Sequence, residues 1–374
     1  MSEVETTNTE AKKLRLVQIT ANLESRLGGP VQVVINSTRY LSLEYEIKLF
    51  VFGNCDIANI NCASLPTIRN NRYGFIKNWI PTHIRSQLMT ADLLLIHGFY
   101  LFSTLLGLAI ANRGTIFIMP HGSLELYQRN NSRLKKIVFD LIFKFFNRIR
   151  DVKFLVGSIE EVKGVEKRFP RNKIIVVGLG IERVPTEYLH LNEIHEPVRL
   201  LCFSRISNKK RIDLCIEVVM KLREKGIESI LTIAGDGDEK LLASLMSLVE
   251  NLNLEKSVKF IGFVEGESKQ NAFKNSDIFI LPSENENFAI AVAEAIGHQV
   301  PVVISKHVAM QSFVRNHGTG IVIENLQVED LADAIMSIKL DYTKFWHKCT
   351  ESRALLEWDN VISIWVQNMN SNLR

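Results

Sequence analysis

One alternation organises this chain: short runs of β-branched and leucine-rich residues each give way to a longer stretch with helical spacing. In the first half the runs cover residues 14–20, 47–52, 93–96, 115–119, 154–156 and 174–177. In the second half they cover 199–203, 230–234, 258–261, 278–281, 302–304 and 320–323, with helical patterns at 213–225, 239–252 and 328–339 between them. A strand followed each time by a helix builds a parallel sheet covered on both faces. A polar stretch from Gly180 to Pro197 breaks the series, so the expected fold is α/β with two doubly wound, Rossmann-like domains facing across a cleft. The expected domains are 1–185, of which 1–13 are polar and disordered, then 186–354, then a final amphipathic helix within 355–374. That helix is marked by Trp358, Val361, Ile362, Ile364 and Trp365.

At 374 residues, with 46% apolar and 23% charged residues, the chain is neither disordered nor fibrous and buries a core without disulfides or structural metal. The five cysteines (Cys55, Cys62, Cys202, Cys215 and Cys349) form no C-x-x-C pair, which argues against a zinc module or a disulfide framework. No signal peptide is read at residues 1–13, and a cytoplasmic protein is expected. Residues 93–111 are apolar enough to span a membrane, but His97, Gly98, Ser103, Thr104 and Gly107 interrupt them. The better reading is a strand, a turn and a helix.

Charge is unevenly spread. Residues 1–185 hold 25 Lys and Arg against 15 Asp and Glu, leaving 20 against 26 of the total 45 and 41 for the remainder. Much of the excess lies between Arg129 and Lys153, where Phe139, Phe143, Phe145 and Phe146 are interleaved with basic residues. A basic, aromatic-rich helix suits an anionic membrane surface, which would make the protein peripheral on the cytoplasmic face. A second reading seats the stripe Val138, Leu141, Ile142, Phe145 and Ile149 in the core behind a solvated basic rim. Nucleic acid is not an expected partner, because no nucleic-acid module accompanies the charge.

Ligands on doubly wound sheets bind beyond the carboxyl ends of the strands, so motifs there carry the most information. The segment LPSENENFAIAVAEA (281–295) follows a strand, and a helix is expected to start near Asn287 or Phe288. The bare N–H groups of a helix start attract phosphate. Glu286 and Glu294, eight residues apart, would be about 12 Å apart along a continuous helix. That is too far for a retaining glycosidase pair, but suits the two ends of a diphosphate ligand. After the strand at 199–203, Arg205 and Lys210 offer cations to a departing pyrophosphate. Gly235 in AGDGD would let the backbone approach a flat ring, and Phe260–Val264 would offer backbone hydrogen bonds to a base. In the first half, Gly28-Gly29 opens a helix and Pro120-His121-Gly122 follows a strand.

Taken together, RISNKK, AGDGDE, GFVEGE and the E-x7-E segment resemble glycosyltransferase family 4, retaining nucleotide-sugar transferases of GT-B architecture. The resemblance is dense over 199–340 and looser over 14–185, where MPHGSLELY is similar to the family's His-Gly loop. It implies an acceptor-binding first domain, a nucleotide-sugar-binding second domain, and a last helix that crosses back to the first. By resemblance Glu286 contacts the donor sugar, Glu294 the ribose, and Arg205 with Lys210 the diphosphate. His121 lies beside the sugar, and Gly29 lets its loop approach the phosphate. Phe263 and Val264 hold the base, and the backbone at Asn287, Phe288, Ala289, Ile290 and Ala291 lines the sugar and phosphate. Departures occur at Ser204, Arg211, Ala289 and Gln299, where the family often has Gly, and at Leu179, where Asn is common.

The expected function is transfer of a hexose, with its configuration retained, from a nucleotide sugar to a glycan or lipid-linked glycan in cell-surface polysaccharide synthesis. A UDP-sugar is the favoured donor and GDP-mannose the other. No cofactor is expected. Arg205 and Lys210 stand in for a metal, and no metal-binding Asp-x-Asp is expected at a strand end. An epimerase of the same architecture and a non-catalytic sugar-nucleotide-binding subunit remain alternatives. Plain NAD binding is disfavoured because no G-x-G-x-x-G follows the first strand.

Overall fold

The computed structural model describes residues 13–24, 29–52, 62–64, 82–111, 114–124 and 133–373. Gly28, Cys55, Arg129 and the first twelve residues, on which some of these expectations fall, lie outside them. The chain forms two compact units. The first comprises Met1–Leu155, Val165–Ile175 and Ile364–Arg374; the second comprises Val156–Gly164 and Val176–Ser363.

The first half of the chain carries β1 (Arg15–Thr20), α1 (Gly29–Leu41), β2 (Glu46–Val51), β3 (Cys62–Ser64), α2 (Thr82–Thr90), β4 (Leu93–His97) and α3 (Phe102–Ile110). It continues with β5 (Thr115–Met119), α4 (Arg133–Ile149), β6 (Val152–Val156), α5 (Ile159–Arg168) and β7 (Lys173–Val176). The strands form one sheet in the order β3-β2-β1-β4-β5-β6-β7, and its order reverses between β1 and β4. Every residue of β4, β5 and β6 is buried, as strands between two helical layers must be. The apolar stretch at 93–111 is β4, a turn and α3, and among the described residues no helix is long and apolar enough to cross a membrane. The edge strand β3, paired with β2, was not expected. Three residues reading Cys-Ala-Ser carry no strand signal of their own.

The second half carries β8 (Val198–Phe203), α6 (Ile212–Glu224), β9 (Ser229–Ala234), α7 (Glu239–Asn251), β10 (Val258–Gly262), α8 (Gly266–Lys274) and β11 (Ile278–Leu281). It ends with α9 (Ile290–Gly297), β12 (Val302–Ser305), α10 (Gln311–His317), β13 (Gly320–Ile323), α11 (Val328–Leu340), α12 (Tyr342–Ser352) and α13 (Trp358–Asn370). Its sheet runs β10-β9-β8-β11-β12-β13 and reverses between β8 and β11. Side chains alternate across a strand, so each strand feeds two cores. Leu200, Cys202, Ile278, Ile280 and Val303 join the cluster that contains α6 and α11 residues. Leu201, Phe279, Leu281, Val302 and Ile304 join the one that contains α9 residues.

The basic segment differs from the core reading. Among the described side chains of α4 the buried ones are Phe139 and Phe143, whereas Val138, Leu141, Ile142, Phe145 and Ile149 are exposed. The cause lies elsewhere in the chain. Phe99, Phe154 and Phe169 form an aromatic nest, and Phe143 packs edge-on against Phe99 at 4.9 Å and tilted against Phe169 at 4.7 Å. Lys153 does not extend the basic helix. It lies on β6, nearly buried and paired with Asp151.

Candidate active site

The site in the second unit is built where its sheet reverses, from the loops after β8 and β11. The chain leaves β8 at Phe203 and closes a single 3-10 turn over Asn208–Lys210, which delivers Lys210 inward to 7% exposure. The loop after β11 is held on two sides. Glu284 N–H donates to the Lys209 carbonyl at 2.8 Å, and Glu286 bridges the loop after β12, its N–H donating to the His307 carbonyl at 3.1 Å. These ties bring the Lys210 ammonium against a Glu286 carboxylate oxygen. The residue expected at the donor sugar and one of those expected at its diphosphate thus form an ion pair.

The helix after Glu286 starts later than expected. Ala289 is its N-cap, in a left-handed conformation at φ 56°, and α9 runs from Ile290. The 12 Å helical spacing from Glu286 to Glu294 therefore does not apply, because Asn287 and Phe288 are loop. No side chain caps the start of α9, so its first N–H groups remain available to an anion. Five residues into the helix, Glu294 Oε1 accepts from Lys269 Nζ at 2.7 Å. Burial opposes the charge on Lys269, but Glu294 beside it holds the ammonium above its ordinary range. Lys269, inside GESKQ on α8, was not anticipated, and no motif marks it.

Arg205 is exposed and makes no ion pair among the described residues. Gly235 has a packing reason besides any ligand: with φ +133°, a Cβ there would lie 2.0 Å from the Ser204 carbonyl oxygen. Gly237 stands in the same relation to Ile206, at 2.2 Å. The loops after β8 and β9 are therefore packed back to back. Asp236-Gly237-Asp238 does have Asp-x-Asp spacing after a strand, contrary to expectation. However, Asp238 uses its carboxylate to cap α7, accepting from Lys240 N–H at 2.9 Å and Leu241 N–H at 3.0 Å. Phe263 is exposed beyond β10, and Val264 is half-buried next to it.

Three of the flagged departures from glycine share one property. Arg211, Ala289 and Gln299 all have positive φ, at 52°, 56° and 66°. Each is a non-glycine residue in a conformation that glycine adopts freely.

In the first unit Gly29 is the first residue of α1. His121 lies just after β5, at φ 52° and followed by Gly122 at φ 74°, so the His-Gly turn is left-handed at both residues. Its Nε2 lies 3.1 Å from Nδ1 of His97, at the end of β4, and the rings stack. His97 Nε2 in turn lies 3.3 Å from Gln18 Oε1, on β1. Burial lowers the pKa of His121 to about 4 and that of His97 well below its ordinary value, where the neighbouring His121 adds to the shift. Both imidazoles are neutral at pH 7.

Among the described residues one cluster has the composition of a metal site: His190, His195 and Asp277. Its centre is already occupied by a cation. Arg199 Nη2 lies 2.8 Å from Asp277 Oδ1, 2.6 Å from His195 Nδ1 and 3.3 Å from His190 Nε2. This is a structural ion cluster below the sheet, tying the stretch before β8 to β11.

Comparison with known proteins bears on the family resemblance and the fold. Residues 190–353 match the family Glycosyl transferases group 1. The amylovoran biosynthesis glycosyltransferase AmsK of Erwinia amylovora is 29% identical over 175 residues, 45% of this chain and 42% of that protein. The putative colanic acid biosynthesis glycosyltransferase WcaL of Escherichia coli K12 is 24% identical over 197 residues, 51% of this chain and 48% of that one. The chain thus spans about half the length of the curated relatives it matches. Among solved structures, the lipopolysaccharide outer core galactosyltransferase WaaB superposes with a TM-score of 0.71 at 16% identity, covering 96% of this chain and 100% of that one. HepE of Anabaena in complex with UDP-glucose also gives 0.71 at 16% identity, over 96% and 99%. Residues 190–353 are thus similar to the glycosyl transferases group 1 family, and the chain as a whole shares the GT-B fold of the superposed structures.

Proposed function

We propose that the protein is a retaining hexosyltransferase that uses a nucleoside diphosphate sugar, a UDP-sugar in the first instance, and extends a glycan or lipid-linked glycan for a cell-surface polysaccharide. One observation carries this reading: the Lys210–Glu286 pair, tied into place at the sheet's point of reversal, beside an uncapped helix start. The amylovoran and colanic acid relatives support the polysaccharide context, and the HepE complex supports a UDP-sugar donor.

In the proposed reaction the bond from the sugar's anomeric carbon to the diphosphate oxygen breaks. A bond to the acceptor oxygen forms on the same face, and the acceptor's proton passes to the departing diphosphate. The N–H groups at Ile290 and Ala291 and the ammonium of Lys210 meet the charge that builds on the leaving group. Arg205 adds a cation from the exposed side, and Glu286 holds the sugar hydroxyls. This chemistry needs positioning and charge stabilisation, with no protein nucleophile.

A panel of UDP- and GDP-sugars, incubated with the purified protein and followed for slow donor hydrolysis, tests the proposal. One donor should be consumed and the rest left intact. An isomerised donor would mean an epimerase, and a donor bound but unchanged would mean a binding subunit. Either result overturns the reading.

A further inference from the structure

Among the described residues, the outward face of α4 is a surface without a partner in the fold. Val138, Leu141, Phe145 and Ile149 are 56%, 63%, 64% and 58% exposed, and they recur at the spacing of one helical face. Ile142 extends the same stripe and is also exposed. Soluble monomers seldom expose a contiguous apolar patch beyond a few hundred Å². The opposite face of the helix is fully used, since Phe139 and Phe143 are buried in the aromatic nest. The helix therefore cannot roll to hide its stripe without emptying that nest.

Charge indicates what covers the stripe. Lys135 borders it on one edge and Lys144 with Arg148 on the other, all three exposed. The helix has a single acid, Asp140, which is turned from the stripe toward Arg168. A protein partner would have to match an apolar strip between two cationic margins, whereas an anionic bilayer presents acyl chains beneath a layer of negative headgroups. At 17 residues with charged edges, α4 is built to lie in the interface plane rather than to cross it. We propose that α4 docks this protein on an anionic lipid surface, with Leu141 and Phe145 inserted at acyl depth and Lys135, Lys144 and Arg148 at headgroup depth. This stands whether or not the chain transfers sugar.

Flotation of the full chain with vesicles of phosphatidylcholine alone, or of phosphatidylcholine mixed with anionic phosphatidylglycerol, tests it. The protein should float with the anionic vesicles and release as salt rises. Lys144→Gln with Arg148→Gln should weaken binding about thirtyfold, since each of the two cations near the surface contributes about 1 kcal/mol. Leu141→Glu with Phe145→Glu should abolish it at unchanged thermal midpoint. As a direct reporter, Phe145→Trp should shift its emission to the blue on anionic vesicles. Equal binding by wild type and the double-Glu variant, or no flotation at low salt, overturns the proposal. So does a dimer in sedimentation that the double-Glu variant splits, which would make the face an interface between copies.

Discussion

Lys210 and Glu286, 76 residues apart, form an ion pair that closes the loops after β8 and β11 over the point where the second sheet reverses. Lys210 is the more buried of the two, so the pair is asymmetric: deleting the carboxylate strands a buried cation, whereas deleting the ammonium leaves a carboxylate nearer to water. Breaking a buried pair costs about 3–5 kcal/mol, more than the pair contributes when whole. Glu286→Gln keeps volume and one hydrogen-bond acceptor. It should lower the melting temperature and cut sugar transfer by about a hundredfold or more, with nucleotide affinity nearly unchanged. Calorimetric titration with UDP alongside a turnover assay separates the effects. Full turnover by Glu286→Gln would remove Glu286 from the chemistry.

Ala289 tests the backbone at the start of α9. A side chain at positive φ costs about 1–2 kcal/mol, and glycine returns roughly half of that as unfolded-state entropy. Ala289→Gly should therefore raise stability by about 0.5–1 kcal/mol. The same change at Arg211 should give no gain, because it removes the ion pairs to Asp213 and Glu284. Gln299→Gly loses a hydrogen bond of 3.0 Å to Thr350. Chemical denaturation of the three variants should rank Ala289→Gly as the most stable. If all three gain equally, backbone strain alone governs these positions.

The strand pattern was legible because parallel strands buried on both faces are written as unbroken apolar runs. Each run read from the sequence is a strand, and among the described residues only β3, too short to carry a pattern, was missed. Motif positions were legible too, including the glycine departures at Arg211, Ala289 and Gln299, which mark positive φ. What the sequence could not show was which distant group each residue meets. Periodicity finds a stripe on α4 but not its direction, which is decided by Phe99, Phe154 and Phe169. The Lys269–Glu294 pair and the Arg199–Asp277 cluster are likewise contacts between residues on separate elements.

Asp277 should be the costliest single polar residue to lose. It is fully buried at the foot of β11 and accepts from Arg199 N–H at 2.7 Å and Arg199 Nη2 at 2.8 Å, with His190 Nε2 at 3.2 Å. Burial alone would raise its carboxyl, but these donors hold it well below the usual carboxylate range. Asp277→Asn leaves the guanidinium without its counter-charge and should destabilise the fold by about 3–5 kcal/mol. Because Arg199 occupies the centre of the cluster, zinc or a chelator should leave the wild-type melting temperature unchanged. A zinc-dependent rise of several degrees would instead show that Arg199 yields the site to a metal.

Two buried imidazoles, His97 and His298, and the half-buried His121 give stability a dependence on pH. Burial lowers His121 and His298 to about 4, and His97 well below its ordinary value, while an unfolded histidine titrates near 6.5. Between those values the unfolded chain binds protons that the folded chain refuses, so stability falls as pH drops from about 6.5 toward 4. Above pH 7 neither state is protonated and the dependence vanishes. Asp277 acts in the same direction only at lower pH, because its carboxyl is held below the usual range. Asp140, whose carboxyl burial raises, opposes the trend from a half-buried position. For His298, 1% exposed, the shift is worth on the order of 3 kcal/mol at pH 4. Thermal midpoints measured from pH 4 to 8 should be flat on the alkaline side and slope below about 6.5. His121→Asn, which tolerates the left-handed turn, should make the slope shallower without moving the plateau by more than the lost contact with His97. A wild-type midpoint that stays level down to pH 4.5 would mean that these rings find protons in the folded state, and that the His97–His121 contact is not the neutral pair described above.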